Sequence, residues 1–239
     1  MPHSFASFTF WTLITRLGEA QILLPALAGV LAWFVWRLKA SPVAATWLAC
    51  IGLATLLTTV TKVAFLGWGV GYAPLNFTGV SGHAMFAAAV LPVLCATVAS
   101  TAAPRWRPLA VVGGLALAAL IAWSRVKVGA HSPAEAVAGW AVGSAASALA
   151  LGMAAAPRSH APKALLVGLA VWMVVTPASA PRSRTHDWVT QLSLALSGRD
   201  QPYTRQMLMQ RHRLHSVPDA LPAPTTRHDA AAAALLNRS

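Results

Sequence analysis

The sequence predicts an all-α integral membrane protein: a six-transmembrane helix bundle with a short N-terminal interfacial helix. Three observations carry that expectation. The 239 residues are 56% hydrophobic and 10% charged, whereas soluble chains carry about 25% charged residues, so there is too little polar surface to cover a soluble globule. Apolar runs approaching the roughly 20 residues that a spanning helix needs recur along the chain. Short polar segments rich in Pro, Arg and Lys separate several of them.

The segment from Phe5 to Arg16 is aromatic and helical in pattern but too short and polar to span. Residues 1–18 are therefore expected to form an interfacial helix with its aromatic side chains at headgroup level. Met1–Gly18 lacks a basic region followed by a continuous apolar core, so no cleavable signal peptide is expected, and the first span serves as the insertion signal. Spans are expected at about 20–37, 43–61, 83–100, 108–123, 134–155 and 163–180, so that residues 19–180 form the membrane domain. Arg37-Leu38-Lys39-Ala40-Ser41-Pro42 ends the first, Ala103–Pro108 divides the third from the fourth, and Pro157–Lys163 divides the fifth from the sixth. Cys50 and Cys95 fall inside apolar stretches and read as small hydrophobes.

Residues 181–239 form a basic polar tail with eight of the 18 Lys and Arg residues and four of the six carboxylates. An amphipathic helix is expected near Trp188–Leu196. The Pro-rich and then Ala-rich text beyond about Ser216 reads as disordered.

Charge sets the orientation. Arg37, Lys39, Arg105, Arg107, Arg158 and Lys163 fall in short turns on one side, which the positive-inside rule makes cytoplasmic. The loops at about 62–82 and 124–133 then face outward, and with six spans the Arg-rich tail lies outside as well. The net charge of +12 and ten Trp are spread as membrane interfaces require, so the partner is the lipid bilayer and nucleic acid is excluded. Composition suggests a bacterial inner membrane. Nothing in the sequence speaks to oligomeric state.

Ionisable groups near a bilayer are costly and usually line a functional cavity. Between residues 20 and 180 the sequence has one carboxylate, Glu135, and three histidines, His83, His131 and His160. The outward loops gather Lys62, Ser81, Gly82, His83, Ser124, Arg125, Lys127, His131 and Glu135. Cations for phosphate oxygens, two imidazoles and a carboxylate are the parts that phosphoryl transfer requires.

Ser132-Pro133-Ala134-Glu135 predicts a helix start, with Ser as cap, Pro at the first position and Glu at the third. His131 then stands one turn from Glu135, which can hold one ring nitrogen and stabilise the imidazolium. The same Ser-x-x-Glu is a capping box, and both roles are compatible. Gly79-Val80-Ser81-Gly82-His83-Ala84-Met85 opens the third span. Ser81 resembles an N-cap, Gly82 admits a phosphate to backbone N–H groups, and the helix N-terminus favours its charge. Lys127 reads as a snorkelling interfacial lysine, Trp68, Trp123 and Trp140 as belt residues, and His160 as a solvated loop residue.

These segments resemble the motifs of the type-two phosphatidate phosphatase superfamily, which includes lipid phosphate phosphatases and vanadium haloperoxidases. The second motif, Pro-Ser-Gly-His, is matched by Val80-Ser81-Gly82-His83. The third, Ser-Arg-x5-His-x3-Asp, is matched in register from Ser124-Arg125 through His131 to Glu135, with Glu for Asp. Lys62, closing the second span, matches the Lys of the first motif. The Arg-Pro expected seven residues on is absent, and Gly69-Val70 stands there.

The resemblance covers about residues 1–180. It implies His131 as nucleophile of a phosphohistidine intermediate, Glu135 as its orienting carboxylate and His83 as the acid that protonates the leaving oxygen. It further implies that Lys62, Ser81, the Gly82 amide, Ser124 and Arg125 bind phosphate, with no metal or other cofactor. The activity it implies is hydrolysis of a lipid or polyprenyl phosphate or diphosphate on the outer face. Two alternatives remain open in the sequence: transfer of a phospho-group or head group between lipids, and non-catalytic binding of a phosphate-bearing lipid.

Overall fold

The computed structural model describes residues 3–102, 104–154, 162–179 and 184–216. Among these the backbone is helices and connecting loops, with an isolated antiparallel bridge between Tyr72 and Phe77. The α-helices are α1 (His3–Arg16), α2 (Ala20–Trp36), α3 (Ser41–Trp68), α4 (Gly82–Ala102), α5 (Arg107–Lys127), α6 (Pro133–Met153), α7 (Lys163–Ser179), α8 (Thr185–Ser197) and α9 (Arg205–Ser216).

Among the described residues, five stretches are long and apolar enough to cross a membrane: Thr9–Trp36, Ser41–Trp68, Gly82–Ser100, Arg107–Lys127 and Pro133–Met153. They fit an integral membrane protein. The sixth expected span is an apolar helix of 17 residues, about 25 Å long at 1.5 Å per residue and so at the lower limit of a crossing. The N-terminal helix is present, and its C-terminal half runs on through a short turn into α2, with Ile14 and Leu17 packed against the core.

The helix holding Lys62 runs further than expected. Val63-Ala64-Phe65-Leu66 continues the apolar helix, and α3 ends at Trp68 where Gly69 turns left-handed (φ +70°). Lys62 therefore lies inside the helix rather than closing it.

α4 forms the centre, packed by α2, α3, α5 and α6. Ala84, Met85, Ala87, Ala88, Ala89, Val90 and Val93 have no exposed surface, and these mostly small side chains let neighbouring helices approach closely. The approach is tightest against α6. A Cβ on Gly139 would stand 2.4 Å from the Ser81 carbonyl oxygen, and one on Gly143 2.2 Å from that of Met85. Glycine four residues apart is a common device for close helix contact where no water drives association. Trp140, between them, turns inward and donates its indole N–H to the Leu115 carbonyl at 3.1 Å, so it joins the packing rather than a belt.

The bundle has two distinct ends. At one, the Trp47 indole donates to the carbonyls of Ala150 (3.0 Å) and Ala154 (2.8 Å), tying the start of α3 to the end of α6. Arg37 and Lys39 lie at this end. At the other, the starts of α4 and α6 meet the ends of α3 and α5. Residues 185–216 of the basic tail also belong to this second end. The helix expected near Trp188–Leu196 is α8, packed on α3 with Ser193 and Ser197 against Gly67. His160, Arg158 and the text beyond Ser216 lie outside the described residues.

Candidate active site

The second end gathers every residue that the sequence nominated. Pro133 opens α6, and Ser132 caps it: the Glu135 amide donates to Ser132 Oγ at 3.3 Å, and the Ser132 amide donates to Glu135 Oε2 at 3.0 Å. This is the expected capping box. It fixes the Glu135 carboxylate beside the helix start, where His131 Nδ1 lies 2.8 Å from Oε2. An ionised carboxylate only accepts, so the ring proton sits on Nδ1 and Nε2 keeps its lone pair.

The Glu135 side chain has no exposed surface and is saturated with donors. The Thr78 amide (2.7 Å) and hydroxyl (2.5 Å) reach Oε1, and Arg205 Nη2 lies 2.9 Å from both oxygens. Arg205 Nη1 donates in turn to the Asn76 carbonyl (2.8 Å) and Oδ1 (2.7 Å). A buried carboxylate needs such partners, because an unpaired buried charge is very costly.

His83 opens α4 within electrostatic range of His131, Arg125 and Lys62. The segment before it is anchored to α6, since the Ser81 amide donates to the Glu135 carbonyl at 3.1 Å. Val80 N–H donates to Thr61 Oγ1 at 3.1 Å, beside Lys62. Ser81 occupies the N-cap position, its carbonyl taking the Met85 amide at 3.0 Å, but its hydroxyl does not cap. That Oγ is fully buried and has no hydrogen-bond partner within the protein. Gly82 follows, with open space where a Cβ would stand.

On α5, Arg125 Nη1 donates to Thr15 Oγ1 at 3.0 Å, while its buried Nε has no protein partner. Ser124 is fully buried and donates its hydroxyl to the Ile121 carbonyl at 2.6 Å, which leaves it lone pairs rather than a free proton. Lys127 is exposed and stacks over Trp123, 5.2 Å from the ring centroid, so it snorkels rather than joins the cluster.

Burial holds the His131 imidazole below its usual 6.5. The Glu135 contact opposes that displacement, and the nearby Lys62 and Arg125 charges reinforce it. The free ring is thus biased toward its neutral, nucleophilic form.

Sequence reasoning missed four participants. Glu19, 7% exposed, pairs with Arg16 at 3.5 Å and acts electrostatically on Arg125. It stands one residue before the stretch surveyed for intramembrane charges, so a wider window finds it. Thr15 and Thr78 carry no signal in a single sequence. Arg205, 70 residues from Glu135, is one of eight basic residues in the tail and is likewise undistinguished by spacing.

No solved structure matches the chain. An uncharacterized 22.5 kDa protein in the cps region of Klebsiella pneumoniae is 31% identical over 201 residues, covering 82% of this chain and 95% of that protein. The profile of the PAP2 superfamily matches residues 45–159, a stretch running from α3 through α6 and including both histidines, Lys62, Arg125 and Glu135. The chain belongs to the PAP2 superfamily, the type-two phosphatidate phosphatases, and a phosphatase-type activity follows at that level.

Proposed function

We propose that the protein is a membrane phosphatase that hydrolyses a lipid or polyprenyl phosphate or diphosphate through a phosphohistidine, without metal. The observation that carries this reading is the His131–Glu135 pair at 2.8 Å beside two buried, unpartnered donors, Ser81 Oγ and Arg125 Nε. Buried donors normally find partners, and phosphate oxygens are suitable ones.

In the first step, His131 Nε2 attacks phosphorus and the P–O bond to the lipid breaks. Protonated His83 gives its proton to the leaving oxygen. Glu135 stabilises the positive charge that develops on the His131 ring. In the second step, His83 takes a proton from water, the hydroxide attacks phosphorus, and the P–N bond breaks to release phosphate and neutral His131. Lys62, Arg125, Ser81 and the Gly82 amide hold the nonbridging oxygens at the start of α4, where the helix dipole favours negative charge. Ser124 sits against them as an acceptor that orients neighbouring donors.

The six-span topology belongs to the same reading. α6 ends beside Trp47 at the far end, whereas α8 packs on the end of α3 nearer the site, which supports reading α7 as the sixth span. In this reading α1 lies along the site-side interface. Arg37, Lys39, Arg105 and Arg107 at the opposite end support a cytoplasmic side there, with the site facing outward from the inner membrane.

The test is phosphate release by purified full-length protein in detergent with a chelator, offered phosphatidate, phosphatidylglycerophosphate and undecaprenyl diphosphate. Release that survives the chelator and disappears in His131→Ala supports the mechanism and begins to name the substrate. Equal rates in wild type and variant remove His131 as nucleophile.

A further inference from the structure

Glu135 is held by nitrogen donors from two parts of the chain, one near and one far. His131 comes from its own helix turn and Arg205 from the start of α9. Arg205 is not a loose surface arginine. Its guanidinium is forked, with Nη1 on the Asn76 carbonyl and side chain and Nη2 on both Glu135 oxygens and, at 3.3 Å, on Thr78 Oγ1. A single nitrogen thus serves both carboxylate oxygens while the other arm of the plane is fixed on Asn76, and such charge-assisted hydrogen bonds are roughly twice as strong as neutral ones.

The chain leading to it is docked as well. The Tyr203 amide donates to the Leu66 carbonyl at 2.8 Å, and Arg199 stacks on the Tyr203 ring at 4.1 Å. The Tyr203 ring covers Gly69, where an added Cβ would stand 2.9 Å from it. Gly69 is the position at which the resemblance expects an arginine, and a residue of the tail, Tyr203, stands over it instead.

We propose that Arg205 is a positioning residue of the phosphatase, supplied by the tail, that shares the Glu135 charge and so sets how firmly the carboxylate holds the His131 imidazole. The proposal rests on His131 being the nucleophile. The electrostatics give it a sign. Glu135 favours the imidazolium, while burial, Lys62 and Arg125 disfavour it, and His83 lies within electrostatic range. Lys62 also faces Glu135. Arg205 neutralises much of the carboxylate's field. With it gone, that field falls on His131 alone, the ring takes a proton more readily, and the nucleophile is lost at higher pH.

The test is a titration of the labelled His131 imidazole by NMR in full-length protein in detergent, paired with phosphate release from phosphatidate. Arg205→Gln is expected to raise the His131 titration by about one pH unit, the lower range for loss of a neighbouring charge, and to lower kcat by up to about tenfold on the acid side of the profile, with a smaller change in KM. Arg205→Lys keeps the charge without the fork, so its titration should stay near wild type while kcat falls less. Tyr203→Ala loosens the tail but leaves the guanidinium, and its titration should also stay near wild type.

An unmoved titration in Arg205→Gln overturns the proposal. So does an equal rise in Tyr203→Ala, which would make cover by the tail the cause. Should Arg205→Gln fail to fold, a raised titration in the charge-retaining Arg205→Lys overturns it instead. A shifted titration in a protein that hydrolyses no phosphate ester would sink the phosphatase reading while leaving the Arg205–His131 coupling intact.

Discussion

His131 Nδ1 lies 2.8 Å from the Glu135 carboxylate across the first turn of α6, and the carboxylate that holds it has no exposed surface. The same oxygen that receives the ring also receives the Ser132 amide. One residue therefore caps the helix and orients the imidazole, and substitutions there act on stability and activity together.

Glu135→Gln should show both effects. The amide can accept on one atom only, and its NH2 would face donors from Thr78, Ser132, His131 or Arg205. Breaking a buried pair from one side costs about 3–5 kcal/mol, and loss of the orienting charge is expected to lower kcat by about a hundredfold or more. Thermal unfolding and phosphate release on the same preparation separate the two. A variant with wild-type kcat would show that Glu135 serves the helix start alone.

The acid limb of kcat/KM should fall below pH 6.5. In the proposed mechanism His131 attacks unprotonated, and burial holds its folded value below the ordinary 6.5. That requirement is met above this range and fails as pH drops through the depressed value. Stability follows the same sign: below pH 6.5 the unfolded chain takes up the proton first, so falling pH favours unfolding. A pH–rate profile whose acid limb lies above 6.5 would contradict the burial of the ring.

Gly139→Ala should disturb the site without touching any polar group in it. The new methyl would stand 2.4 Å from the Ser81 carbonyl, and a backbone atom cannot swing aside. Forcing α6 from α4 should cost about 1–3 kcal/mol and separate the Ser81–His83 segment from Glu135. The expected result is a lower melting temperature with a raised KM for phosphate esters. Gly152→Ala, where nothing lies within 4 Å, is the matched control.

Gly69→Arg should not supply a working motif arginine. The position has φ +70° and a Cβ there would meet the Tyr203 ring at 2.9 Å. Left-handed backbone strain in a non-glycine residue costs about 1–3 kcal/mol, and the side chain would displace the tail that carries Arg205. The variant is expected to be less stable and no more active than wild type in the same phosphate-release assay. A gain in rate would show that an arginine at this position reaches the substrate despite the tail.

The bundle and its polar end were legible because two local signals are strong. Lipid-length apolar runs show the helices, and ionisable residues stand out where almost none are tolerated. The third motif and its capping box are contained in twelve residues, Ser124–Glu135, so their geometry follows from one helix turn and one loop. What was not legible is long-range. The tie of Arg205 to Glu135 depends on where α8 lies along α3, and that depends on apposed small residues such as Gly67 and Ser193 with no periodic signature. The reach of α3 past Lys62 is hidden for a simpler reason: a lysine looks like a boundary, yet six apolar-rich residues separate it from the left-handed glycine that ends the helix. Thr15 reaches Arg125 through α1, whose packing against α5 cannot be inferred from its aromatic composition.

Among the described residues Arg205 follows the apolar helices α2 to α7, and this sets an order of events at birth. Chains emerge from the ribosome N-terminus first, so His83, His131 and Glu135 enter the membrane before the residue that completes their neighbourhood has been made. Glu135 is inserted without its guanidinium partner and gains it when α9 folds back across the end of the bundle. Maturation of this centre is accordingly the closing act of biogenesis, and a chain cut between α8 and residue 205 keeps the apolar helices but leaves the carboxylate unfinished.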